Sequence, residues 1–319
     1  MRRSTPLVLL LAACAALTAC DAGVPGVSTH TAPASDSDLN STAALPLGRY
    51  TFGQDEEKVL DRARWTLGKK CMVGLGFSGF TVFDPGSGPG TALVRPAEPG
   101  TIRLPSTDLD LGDRPYGIDD PGQGARTGYH GPASPHDDRQ WPLDQYLALT
   151  GDLRPGDPKQ VHGHPIPEDG CLGQADRRLY GSRPARGKIA GLRMTGYDLT
   201  VLRLMRQGNQ RALTDPGQRK ADAAWSACMK HEGLSYKHPT DAQYRAQWYA
   251  SDTASAQERR TAEADANCKR STGYLKAAHA VDVRIEEQLI QQNRTELDGI
   301  ARRNRAALRT ARTITAGRS

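Results

Sequence analysis

Six cysteines, at positions 14, 20, 71, 171, 228 and 268, and eight histidines carry most of the reactive chemistry this sequence offers. Sulfur near an N-terminus can be acylated. Sulfur inside a folded body can be oxidised to cystine, and a cluster of thiolates can hold a metal ion. Cys20 stands behind Arg2 and Arg3, a short apolar run from Pro6 through Ala16, and the small residues Thr18 and Ala19. Positive, apolar and small residues in that order make a secretory leader, and the apolar run is too short to span a bilayer stably.

The tetrapeptide Leu17-Thr18-Ala19-Cys20 resembles the bacterial lipobox read by lipoprotein signal peptidase. The resemblance implies residues 1–19 as a signal peptide and Cys20 as the acylated (palmitate-type) N-terminus of a mature chain on the outer face of a membrane. Leu11-Ala12-Ala13-Cys14 is a second possible site, but cleavage there would cut the apolar run in half. An ordinary secretory leader with an incidental Cys20 is the plain alternative. Each buried methylene of an acyl chain contributes about 0.8 kcal/mol, and stable anchoring needs more than one chain.

Cys71, Cys171, Cys228 and Cys268 remain for the folded part. An even number in an oxidising compartment implies two disulfides, and four cysteines allow three connectivities. A weak internal repeat favours Cys71–Cys171 and Cys228–Cys268. Cys71-Met72 ends one apparent helix ahead of Gly76-Phe77, and Cys228-Met229 ends another ahead of Gly233 and Tyr236. Each such helix is then stapled to the next cysteine in the chain. None of the four has the Cys-x-x-Cys spacing that brings two thiolates to one ion.

His130, His136, His162 and His164 crowd into one stretch with Asp137 and Asp138. Imidazole and carboxylate together suit zinc or copper. The flanking Gly and Pro residues, however, supply nothing to fix the rings. The loop therefore reads as connection, with an envelope hydrolase or metal-binding protein as the alternative. No metal or other cofactor is expected. Gly74-Leu75-Gly76-Phe77-Ser78-Gly79 matches G-x-G-x-x-G but lies after a helix, the reverse of a dinucleotide site. The short signatures of serine hydrolases, zinc proteases and P-loop enzymes do not occur.

The elements that position these residues are mostly helical. The chain has 319 residues, only 37% of them apolar, with 33 glycines and 21 prolines, so a large buried barrel is excluded. Residues 20–48, rich in Ala, Ser, Thr and Pro and without period, read as a flexible tether. Residues 51–72 read as a helix with a capping box at Thr51 and Gln54. Short strands are expected at 80–83 and 102–104. About a third of residues 84–170 are Gly or Pro, which leaves loops and short helices near 119–126 and 143–149. Helices follow at 169–179, 198–213 and from Asp215-Pro216 to about Lys230, and another starts near Thr240. From the capping box at Ser255 and Glu258 a helix of some 55 residues, about 80 Å, runs toward Gly317, with Gly273 and Gly299 as its weak points. Its stripe of Val281, Ile285, Leu289, Leu297, Ile300 and Leu308 suits a seam for the protein's own helices or a partner site. Beyond Ala301 that helix is expected to project. Trp65, Trp225 and Trp248 read as core.

The formal charge of +6 is uneven: residues 49–180 are net acidic and 181–319 strongly basic. Arg302, Arg303, Arg305, Arg309 and Arg312 suit anionic lipid headgroups, anionic wall polymers, or simply a solvated helix face. Nucleic acid is not an expected partner, because no recognised nucleic-acid module is present.

Tyr116-Gly117-Ile118 through Gly128-Tyr129-His130, Gly170-Cys171-Leu172-Gly173, Trp225-Ser226-Ala227-Cys228-Met229, and Ala264-Asp265 through Cys268 with Thr272-Gly273 together resemble a group of actinomycete (Streptomyces-type) secreted lipoproteins with four ectodomain cysteines. The resemblance covers most of 50–300 and implies a Gram-positive cell surface and a mostly helical, disulfide-stapled ectodomain. It implies no particular activity. The expected protein is thus mainly α: a loop-rich half over 49–180 and a helical half over 181–319 with a long C-terminal helix and basic tail. Its expected role is non-enzymatic binding or scaffolding at the cell envelope. The expected contacts are the membrane, through the lipid anchor, and an envelope protein such as a transporter or wall-associated protein.

Overall fold

A computed structural model describes residues 36–88, 93, 95, 114–130, 141–189, 191–251 and 253–317. Cys14, Cys20, the strand expected at 102–104, and His136 with Asp137 and Asp138 lie outside them. The described chain is mainly helical, as the patterning predicts.

In chain order the helices are α1 (Gln54–Gly74), α2 (Pro121–Thr127), α3 (Leu143–Thr150), α4 (Gly170–Tyr180), α5 (Leu199–Ala212), α6 (Pro216–His231), α7 (Pro239–Gln243), α8 (Ala256–Thr272), α9 (Tyr274–Gln292) and α10 (Arg294–Thr315). Two antiparallel hairpins pair β1 (Gln160–Val161) with β2 (His164–Pro165), and β3 (Ala185–Ile189) with β4 (Leu192–Gly196). Asp215 caps α6 by accepting from the Gly217 N–H, with Pro216 pre-set in the first turn. The start of α1 differs from the expected box at Thr51. The Gly53 N–H donates to Glu56, so the acidic residue one turn in closes the end at Gly53.

Apolar burial divides into four clusters. Trp65, Phe77, Phe80, Trp141 and Leu147 gather near the Cys71 end of α1. Trp225, Met229, Trp248, Ala262 and Leu275 gather near Cys268. Val201, Leu204, Leu289 and Leu297 join α5, α9 and the start of α10. Leu60, Ala63, Ala307, Leu308, Ala311 and Ile314 join α1 to α10. The three tryptophans expected in the core are there: Trp65, Trp225 and Trp248 are all buried. Because α10 packs on both α1 and α4, the change in charge near residue 180 does not separate two bodies.

Several elements depart from expectation. Residues 80–83 are not a strand: Ser78–Val82 is a 3-10 turn, in which the N–H of Phe80 reaches the Phe77 carbonyl. The glycines at 74 and 76 end α1, with Gly76 at φ +91°, and no strand–helix phosphate turn follows. The sequence does not mark the β3–β4 hairpin, since β3 is exposed along nearly all of its length and has no alternation of buried and exposed positions. Residues 36–50, which include the last part of the expected tether, fold as 3-10 turns at Asp36–Leu39, Thr42–Ala44 and Pro46–Tyr50, hereafter the strap. Leu39, Leu45, Leu47 and Tyr50 supply its burial.

The C-terminal run is helical from 256 to 315 but as three helices, not one. Gly273, at φ +65°, ends α8 in the left-handed conformation that glycine adopts without a Cβ penalty. The second break falls at Asn293 rather than Gly299. The Asn293 side chain donates to the Leu289 carbonyl and competes with the helical backbone there. The stripe from Val281 to Leu308 is buried in the protein's own clusters, which settles it as an internal seam. The far end of α10 does not project: Ala307 and Ala311 are fully buried, small enough to bring α10 close to α1.

Candidate functional site

Both disulfides form as the repeat predicts, Cys71 with Cys171 and Cys228 with Cys268, each with Cα atoms 5.6 Å apart. The first ties α1 to α4 and the second ties α6 to α8. One sulfur of each bridge, on Cys171 and Cys268, is deeply buried.

The histidines take separate places. His130 Nδ1 lies 2.7 Å from a Glu258 carboxylate oxygen and Nε2 lies 2.9 Å from the Ser251 carbonyl oxygen. Both partners accept, so the ring that satisfies both donates from both nitrogens. Glu258 also accepts from the Tyr129 N–H at 2.8 Å. It has turned inward from the capping position expected of it, while Ser255 still caps α8 by accepting from the Glu258 N–H. His162 Nδ1 meets the Leu75 carbonyl at 3.0 Å, and its ring stands edge-on to Phe77. His164 lies exposed on β2. Among the described residues no group of three or more metal-ligating side chains gathers.

A second polar system lies inside. Asp265 accepts from Trp225 Nε1 at 2.9 Å and from Lys269 Nζ at 3.0 Å, and Tyr129 donates to it at 3.3 Å. Burial pushes the Asp265 carboxyl up and the Lys269 ammonium pulls it back. Lys269 also donates to the Ile118 carbonyl at 2.9 Å, so this network holds the chain ahead of α2 against α8. Its donors and acceptors are matched to one another, which makes it structural rather than reactive. Asp222 does similar work on α6, accepting from Tyr274 at 3.0 Å and lying 3.0 Å from His238 Nδ1.

The strap is the third system. The Leu47 N–H donates to Glu286 at 2.8 Å, and Asn304 donates to the Tyr50 carbonyl at 3.0 Å. Asn40 donates to the Gly117 carbonyl at 2.7 Å and accepts from the Tyr116 N–H. Tyr116 in turn donates to Asp282 at 2.9 Å. Burial raises the Glu286 carboxyl to about 7 against the pull of the Leu47 N–H, and it raises Asp282 as well. The route by which the N-terminal segment enters the body is therefore closely bonded to α9 and α10.

The basic residues of α10 divide in two. Arg303 is half-buried, with its guanidinium 5.6 Å from the centre of the Tyr197 ring, and Tyr197 stacks on Tyr180 at 3.8 Å. Arg302, Arg305, Arg309 and Arg312 are exposed, and none has an ion-pair partner among the described residues. This division was not legible in the sequence, where the five read as one run. No family model, no curated protein and no solved structure matches the chain.

Proposed function

We propose that this chain is a membrane-anchored extracellular lipoprotein with a non-enzymatic binding or scaffold role at the cell envelope. The observation that carries the reading is a lipobox-like Leu17–Cys20 ahead of a body whose four other cysteines pair as two disulfides. Paired cysteines belong to oxidising compartments. Among the described residues the polar groups of the buried networks are engaged with one another, which supports a scaffold reading. The partner class proposed is an envelope protein, with the membrane itself engaged through the acyl chains. Intact-mass and N-terminal peptide analysis of the protein from native membranes tests the anchor: a diacylglyceryl group on Cys20 is expected. An intact leader, or a mature start elsewhere, would overturn it.

A further inference from the structure

We infer that the outer face of α10 is a docking face for the anionic headgroups of the membrane to which the chain is tethered; this rests on the anchoring reading above. At about 100° per residue, Arg302, Arg305, Arg309 and Arg312 fall within an arc of about 80° and span about 15 Å of helix. All four are exposed. The opposite side of α10 is committed to the body through Ile300, Ala307, Ala311 and Ile314, so the guanidinium groups have no inward role. The helix carries them in a straight row on a rigid support. Asp298, the acidic residue on that side, precedes the row by one turn, with Arg294 one turn before it.

Charge complementarity sets the chemistry of the partner, and reach selects its source. Guanidinium forks match phosphate oxygens, so an anionic phosphate-bearing surface is what the row fits. From Cys20 to Asp36 is 16 residues, at most about 56 Å when fully extended. Strap contacts then carry the chain onto α9 and α10. The body is thereby confined near the bilayer at the high effective concentration that a short linker imposes. Under that confinement even individually weak headgroup contacts are occupied, each arginine contributing a factor of about five to partitioning.

The test uses the chain from residue 20 onward with Cys20→Ser, which lacks the acyl chains but retains every described element. Co-sedimentation is measured with vesicles of phosphatidylglycerol and phosphatidylcholine, and with phosphatidylcholine alone. Binding to the anionic vesicles is expected, with release as salt shortens the screening length. Replacing Arg302, Arg305, Arg309 and Arg312 with Gln is expected to weaken it on the order of several hundredfold. Replacing the exposed Arg206, Arg219, Lys220 and Lys230 with Gln removes the same charge from elsewhere and is expected to cost under tenfold. Unchanged urea midpoints establish that both variants fold. Equal losses in the two variants, equal binding to neutral vesicles, or binding to soluble poly(glycerol phosphate) without binding to vesicles would each overturn the docking face. Because the assayed protein carries no acyl group, such a failure leaves the anchor untouched, and an unmodified Cys20 in native protein leaves the vesicle result untouched.

Discussion

Lys269 and Asp265, one turn apart on α8, meet at 3.0 Å with both side chains wholly removed from solvent. On a surface helix this spacing gives a few tenths of a kcal/mol. Inside, the pair has no water to fall back on, and each partner's loss strands the other.

Lys269→Met therefore leaves the Asp265 charge and the Ile118 carbonyl uncompensated, at an expected cost of about 3–5 kcal/mol. Asp265→Asn is expected to cost a similar amount, and the double variant less than the sum of the two. Urea unfolding midpoints measure this. A loss below about 1 kcal/mol for Lys269→Met would mean that solvent reaches the pair.

Acid should stabilise the fold at Glu286, because burial disfavours its charge, even though the Leu47 N–H is bonded more strongly by the ionised carboxylate. The Glu286 carboxyl titrates at about 7 in the fold, against about 4.3 in the unfolded chain. Between those values the native state binds more protons than the unfolded state. Stability from the neutral carboxyl is thus fully present below the unfolded value and is lost as pH rises through 7, by about 2–4 kcal/mol. Glu286→Gln should flatten that part of the profile, with the variant gaining on wild type from pH 5 to 8. Parallel profiles would place the proton elsewhere.

Two glycines should respond in opposite directions to alanine. A Cβ at Gly124 would stand 2.7 Å from backbone atoms of Ala262 and Glu263, so Gly124→Ala must push α2 off α8, at about 1–3 kcal/mol. Gly299 lies inside α10, where a Cβ would meet only the tip of Arg302 at 3.9 Å. Gly299→Ala should stabilise by about 0.5–1 kcal/mol. Thermal melts of the pair decide it, and stabilisation by both would refute the close crossing.

Removing Cys71–Cys171 as a Ser pair should cost more than removing Cys228–Cys268. The bridges close separations of 100 and 40 residues, and loop entropy places the difference at roughly 1 kcal/mol on a base of about 4. Non-reducing peptide maps and denaturant midpoints of the two variants are the measurement. A larger loss from the second bridge would show that native-state packing, not chain closure, governs.

The cysteine pairing was legible through a weak repeat, since each helix end carries Cys-Met followed by a glycine five positions after the cysteine and then an aromatic residue. Gly273 was legible because glycine marks a left-handed stop. Asn293 was not, since nothing distinguishes a polar residue that bonds backward from one that faces water. The strap escaped for a related reason: Leu39 and Leu47 are buried from 3-10 turns and Leu45 from the bend between two of them, and these impose no helical or strand period on their neighbours. The close approach of α10 to α1 depends on alanines at 63, 307 and 311, whose contribution is backbone proximity rather than apolar bulk. Lys269 and Asp265 look in the sequence like any solvated pair, because their burial comes from Ile118 and Tyr129, more than a hundred residues away.

The strap also determines where mechanical load goes. Tension applied to the chain ahead of Asp36 does not end in a slack peptide. It meets first the Asn40 hydrogen bonds to Tyr116 and Gly117, and then the Leu47–Glu286 and Asn304–Tyr50 hydrogen bonds into α9 and α10. The Cys228–Cys268 clasp joining α6 to α8 is not part of the strap, so a pull from the N-terminal side loads these hydrogen bonds ahead of any covalent cross-link.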